Sequence, residues 1–289
     1  MEHKSIGQKI LHFPLTKIVI GIVVVAGIYG GTQYSLGKLF KLSSMSEGLN
    51  NLIVGIVSAF IAIISYIFLY RFYEKRKITE LSTGGIGRNL TIGILLGIIL
   101  QSFTILVIYL KGGFTVISVN NLLFLIPALS MAIPSAVFEE ILFRGIIYRL
   151  IEEKLGSILA LIISAILFGI LHLLNPNSSL IVALGLAIQA GLLLAAAYIY
   201  ARNLWFPIAI HFAWNFTQSG IFGAIVSGNS LDKSLLTTKI QGAEWFTGGQ
   251  FGPEGSIQAT LFCLTATIVL LILSHKQKKM IHPFWTKEQ

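Results

Sequence analysis

Eight runs of apolar residues, separated by short polar intervals, succeed one another along the chain: Leu15–Tyr34, Leu52–Phe72, Leu90–Leu110, Leu122–Ile151, Ser157–Leu174, Leu180–Ala201, Leu204–Ile225 and Ile257–Ser274. A helix that spans a bilayer needs about 20 mostly apolar residues. The pattern therefore predicts an all-α fold, a polytopic transmembrane bundle of about eight helices. The intervals carry a second pattern. Lys4, Lys9 and Lys17 lead into the first run, and Arg71, Lys75, Arg76, Lys77 and Arg88 lie between the second and third. Arg149 and Lys154 follow the fourth, Arg202 the sixth, and Lys276, Lys278, Lys279 and Lys287 the eighth. The alternate intervals hold only Lys38, Lys41, Lys111, Lys233 and Lys239. Basic residues favour the cytoplasmic side. Both termini are thus expected in the cytoplasm of a multi-pass protein of the plasma membrane, and a seven- or nine-span reading would spoil the alternation.

Composition agrees. Of 289 residues, 55% are hydrophobic and 11% charged, against roughly 25% charged in a soluble domain. Such a chain lacks the polar residues to cover a water-facing surface, so membrane lipids are its expected surroundings. The formal charge of +9 is spread in short clusters between apolar runs rather than gathered on one folded basic face. That suits anionic headgroups and argues against nucleic acid as a partner. A single cysteine, Cys263, excludes a disulfide framework and reads as packing. The first run is too long for a signal peptide and lacks a convincing cleavage site. The polar stretch Ser227–Ser256 is Gly-rich and reads as an external loop.

Charges at membrane depth cost about 2.5 kcal/mol or more each and usually serve function. Three groups lie far from span ends. Phe138-Glu139-Glu140-Ile141-Leu142-Phe143-Arg144 sits on the fourth run, Phe168-Gly169-Ile170-Leu171-His172 on the fifth, and His211-Phe212-Ala213-Trp214-Asn215 on the seventh. Glu140 and Arg144 are one turn apart on a shared face and can pair, as are His211 and Asn215. Glu139 is turned about 100° from Glu140, free for proton chemistry. Counted at 1.5 Å per residue from the basic end, Glu139 lies about 18 Å deep, His172 roughly 24 Å and His211 about 12 Å. Pro127 and Pro134 predict a bend in the fourth helix. Gln101 and Gln189 are expected to hydrogen-bond between helices, and Arg149 with Glu152 or Glu153 reads as a solvated pair.

In order on successive helices, the motifs EExxxR, FxxxH and HxxxN resemble those of the CPBP family, the CaaX proteases and bacteriocin-processing proteins also called the Abi family. The resemblance covers about Leu122–Ile225 and implies intramembrane proteolysis. It makes Glu139 and His172 the water-activating pair, adds Glu140 and Arg144 to the first motif, and gives His211 and Asn215 the oxyanion or the water. It divides the chain into N-terminal helices (1–120), a catalytic core (121–226), an external loop (227–256) and a last helix with a basic tail (257–289).

These residue types suit hydrolysis. A carboxylate in a low-dielectric site can serve as general base, and paired donors can hold a tetrahedral oxyanion. A water-filled cavity opening toward the cytoplasm is required. Two His and one Glu also make a common zinc set, so Glu139, His172 and His211 are the candidate ligands if Zn2+ is the cofactor. The HExxH of many zinc proteases is absent, and a metal-free route is preferred because Glu139 can hardly be both ligand and base. A membrane-associated peptide or protein is the expected partner. A non-catalytic bacteriocin-immunity protein and a proton-coupled transporter are the competing readings.

Overall fold

The computed structural model describes residues 6–42 and 44–286; Lys4 and Lys287, counted above among the basic residues, lie outside the described residues. Six helices there are long and apolar enough to cross a membrane: Pro14–Phe40, Glu47–Tyr73, Ile86–Leu110, Leu122–Leu174, Leu180–Ala201 and Ile257–Lys276. The 53-residue stretch Leu122–Leu174 is two rods. Gly156 breaks it with φ 76° and ψ 171°, a conformation that favours glycine because it has no Cβ to clash. The chain folds back there, bringing the Phe168 ring to within 4.8 Å of Phe143, centroid to centroid. The seventh predicted run is a shorter rod, Trp205–Asn215 extended by Phe216–Ile221. It stops before the expected Ile225, because Phe222 ends it and Gly223 turns away with φ 59°. Eight rods therefore succeed one another, in the all-α arrangement that the hydropathy predicts.

After a short α1 (Ile6–Leu11), α2 (Pro14–Phe40), α3 (Glu47–Tyr73) and α4 (Ile86–Leu110) precede the motif helices. These are α5 (Ile126–Glu140), α6 (Arg149–Leu171), α7 (Leu180–Leu186), α8 (Leu193–Ala201) and α9 (Trp205–Asn215), followed by the short α10 (Glu244–Thr247) and by α11 (Ile257–Lys276). α8 is enclosed on all sides, with every residue from Leu193 to Ile199 buried. The helix bearing the third motif is pinned by α4. A Cβ at Gly97 would fall 2.5 Å from the Ile210 carbonyl oxygen and 2.8 Å from the Ala213 Cβ, and one at Gly93 2.6 Å from the Ala209 Cβ. Small residues four apart allow this backbone approach, which supplies helix packing where lipid removes the hydrophobic drive.

Three segments depart from α geometry into wider π-helical turns: Ile141–Tyr148 between α5 and α6, Ala187–Leu192 between α7 and α8, and Phe216–Ile221 after α9. Neither Pro127 nor Pro134 ends the helix. Pro127 lies in the first turn of α5, where its missing N–H costs nothing, and α5 runs through Pro134 to Glu140.

The two ends of the bundle differ. At one end the basic intervals are knitted together. Glu74 binds Lys17, Arg76 and Arg149, each at 2.9 Å. Glu152 takes Arg202 at 2.7 Å, and Leu204 N–H donates to the Glu80 carbonyl. Arg149 was expected to be solvated with Glu152 or Glu153. It does bind Glu153 at 2.7 Å, but it is 7% exposed and reaches across to Glu74, while Glu152 is 3% exposed and serves Arg202 and Tyr148. The fold converges these loops, so the charges are shared inside it. At the other end β1 (Phe114–Val119) pairs antiparallel with β2 (Leu236–Ile240), with an irregularity between Val116 and Ser118. Ser227–Ser256 is therefore a structured connection.

Candidate active site

Glu139 and Glu140 end α5 just where the first π segment begins. Glu140 is fully buried. Its Oε1 accepts from Arg144 Nη1 at 2.8 Å and from His211 Nδ1 at 3.0 Å. Arg144 is also fully buried, and its Nη2 donates to the carbonyls of Ala190 at 2.9 Å and Gly191 at 3.1 Å. Those carbonyls belong to the second π segment, where the altered helical register leaves oxygens available to a side chain. A guanidinium can be held here because a carboxylate and two backbone oxygens replace its water. Its face lies 5.1 Å from the Phe168 ring centroid. The first motif thus pairs as its one-turn spacing implies, and it reaches His211 of the third.

The second and third motifs meet in a cavity of about 40 Å³, room for a few water molecules. His172, His211 and Asn215 line it, with Phe168, Gln189 and Trp214. His172 Nδ1 lies 2.8 Å from the Phe168 carbonyl. A carbonyl only accepts, so Nδ1 is the donor here and Nε2 is the nitrogen left for the cavity. Likewise His211 Nδ1–H donates to Glu140, leaving Nε2 for the cavity. Both imidazoles flank one ring, with centroids 4.4 Å and 6.5 Å from that of Phe168.

Glu139 is placed differently from Glu140. It does not line the cavity. Its Oε2 is buried without a hydrogen-bond partner among the described residues, as are Glu140 Oε2 and Arg144 Nε. Tyr29 of α2 stacks on Phe138 at 4.0 Å and lies within electrostatic reach of Glu139, as does His211. An unpaired buried carboxylate oxygen is costly.

The zinc set can be tested on the same geometry. Among the described residues no three His, Cys, Asp or Glu side chains gather so as to hold a metal ion, so Glu139, His172 and His211 do not form a closed ligand set. The Nδ1 of His211 is taken by Glu140, and that pair faces Arg144. No step below is routed through a metal.

Two features lay outside the sequence reading. The cavity wall includes Ser227 and Glu254 from the connection after α9, on the sheet-bearing side of the bundle. Hydropathy cannot distinguish a loop carboxylate in water from one folded back into a helix bundle. Gln101 also departs from expectation. Gln189 donates to Thr260 of α11 at 2.7 Å, but both carboxamide ends of Gln101 lack a partner among the described residues.

These features define a multi-pass membrane protein with a buried acid–arginine–histidine cluster beside a small polar cavity. Residues 120–217 match a family described as "Type II CAAX prenyl endopeptidase Rce1-like", a segment that holds all three motifs. A Bacillus subtilis (strain 168) protein named "Putative membrane peptidase YdiL" is 34% identical over 86 residues, 29% of this chain and 32% of that protein. The match thus spans about a third of that relative's length. No solved structure matches. The matched segment is the one whose motifs resemble the CPBP family.

Proposed function

We propose that the protein is an intramembrane endopeptidase that hydrolyses a peptide bond of a membrane-associated protein or peptide by glutamate- and histidine-activated water. The observation that carries this reading is the buried carboxylate of Glu139 within electrostatic reach of His211, which lines the cavity together with His172 and Asn215. Glu139 takes a proton from the attacking water while His172 Nε2 accepts a hydrogen bond from it; Glu139 then returns that proton by way of His172 Nε2 to the leaving amine and ends ionised again. Asn215 donates to the tetrahedral oxyanion. His211 donates from Nε2 when it carries both ring protons, with Glu140 as the counter-charge for that form. One such donor is worth about 3 kcal/mol in the transition state. Glu140 and Arg144 act through His211, by orienting it and balancing charge.

The substrate class follows from the resemblance alone: a CaaX-type tail, a bacteriocin precursor or a self-immunity target, cleaved at the plasma membrane with both termini of the enzyme in the cytoplasm. The test uses purified protein in detergent micelles with a library of apolar peptides, read by mass spectrometry. Wild type yields new peptide ends and Glu139→Ala yields none while eluting and unfolding like wild type. Equal cleavage by the variant removes the reading, and cleavage by neither favours a non-catalytic immunity protein.

A further inference from the structure

The cavity of His172, His211 and Asn215 is walled on one side by residues from outside the spanning helices. Glu254 lies in a short turn, Pro253–Gly255, yet is only 2% exposed. Its Oε1 accepts from the Ser227 backbone N–H and from Ser227 Oγ, the latter at 2.8 Å. Trp214 of α9, on the helix that carries His211 and Asn215, lines the same cavity, and Glu254 lies within electrostatic reach of His172. The segment around it is closely packed. Gly228 N–H donates to the Phe251 carbonyl at 2.9 Å, and a Cβ on Gly228 would fall 1.9 Å from the Pro176 carbonyl oxygen. A carboxylate is expensive to bury unless hydrogen bonds replace its water. A loop built only to connect two helices has no need to bury one, whereas this one is buried at the point where loop, motif helix and cavity meet.

We propose that Glu254 is a further positioning residue of this site: latched to Ser227, it holds the Gly-rich connection as the outer wall of the cavity and sets how far the cavity is reachable from the sheet-bearing end. The purpose of that wall rests on the peptidase reading, since a hydrolytic site must admit substrate and ration water. The latch itself does not, and its test needs no cleavage.

Cys263, the single cysteine, lines the same cavity and is 1% exposed. Its rate of alkylation by N-ethylmaleimide, followed by intact-mass spectrometry on the full chain in micelles, therefore reports opening of the wall. Glu254→Ala removes both bonds to Ser227 and is expected to raise that rate by more than about tenfold, since losing even one charge-assisted hydrogen bond shifts a local opening equilibrium about tenfold. Glu254→Gln keeps an oxygen for Ser227 and labels more slowly than Glu254→Ala. Ser227→Ala keeps the backbone donor and falls between wild type and Glu254→Ala. Unfolding midpoints within a few degrees of wild type separate local opening from general loosening. If Glu254→Ala does not fold, Ser227→Ala decides. Wild-type labelling rates in both alanine variants overturn the proposal. So does Glu254→Gln labelling as fast as Glu254→Ala, or wild-type Cys263 reacting as fast as in the SDS-unfolded chain. Failure of the peptidase reading shows separately, as cleavage that survives Glu139→Ala, and leaves these rates unchanged.

Discussion

Replacing Arg144 by methionine strips the buried cluster of its cation while keeping most of its volume. In the native arrangement Arg144 gives Glu140 one hydrogen bond of 2.8 Å and gives two more to the carbonyls of Ala190 and Gly191, with both charged side chains fully buried. Arg144→Met leaves the Glu140 carboxylate with His211 alone and strands two backbone oxygens. Breaking a buried pair by removing one partner costs about 3–5 kcal/mol. Glu140→Gln strands the guanidinium and is expected to cost a similar amount, about 3–5 kcal/mol. The double variant Glu140→Gln/Arg144→Met buries no formal charge from this pair, so its cost should fall to about 1–3 kcal/mol, mostly from the two carbonyls. The coupling energy is then about 3 kcal/mol or more and favours the double variant. Equilibrium unfolding of the purified protein in SDS-containing mixed micelles, followed by tryptophan fluorescence, measures all four corners of the cycle. Additive single effects, with coupling under about 0.5 kcal/mol, would show that the two charges do not depend on each other and would refute the cluster as described.

The same structure gives three further expectations. Gly97→Val sets a side chain against Ile210 O and Ala213 Cβ, 2.5 Å and 2.8 Å from the first added carbon; it should cost about 1–3 kcal/mol by overpacking and shift His211 and Asn215, so cleavage should fall further than the unfolding midpoint implies. Burial pushes the Glu74 and Glu80 carboxyls up, but Arg149, Lys17 and Arg76 around Glu74, and Arg76 with Tyr66 around Glu80, outweigh it and hold both below the ordinary value of 4.5. A depressed carboxylate gives stability that is full above its unfolded value and lost as pH falls through its folded value. Unfolding midpoints should therefore hold steady down to about pH 5 and drop below it, with a smaller drop in Glu80→Gln. Because no three metal-binding side chains gather among the described residues, 1,10-phenanthroline should leave both cleavage and unfolding midpoint unchanged, and a loss of either that zinc restores would overturn the metal-free route.

The apolar runs and the alternation of basic intervals were enough to lay out the bundle, because bilayer thickness and lipid exclusion of charge act on every span alike. The meeting of Arg71–Arg76, Arg149, Arg202 and Lys279 intervals at one end is the spatial form of that alternation. The polar residues were legible for the same reason: Glu140, Arg144, His172 and His211 stand out where lipid should be. The Glu140–Arg144 pair was legible from its one-turn spacing, but the other partners were not. A π turn adds a residue to a helical repeat without changing hydropathy, so nothing in the sequence foretold that Ala190 and Gly191 would offer carbonyls to Arg144. Adjacency gave Glu139 and Glu140 separate faces, yet only the fold shows that Glu140 binds His211. Glu254 and the ion pairs of Glu74, Glu80 and Glu152 escaped because a loop residue's burial depends on where distant segments return.

Peptide-bond hydrolysis is the activity proposed for this cluster. Its most direct test is peptide mass spectrometry of the host membrane fraction, with wild type compared against Glu139→Gln expressed and inserted at the same level. New amino- and carboxy-terminal ends flanking a single cut in a membrane-associated protein, present with wild type and missing with the variant, are the predicted result. Identical peptide ends in both samples would contradict it.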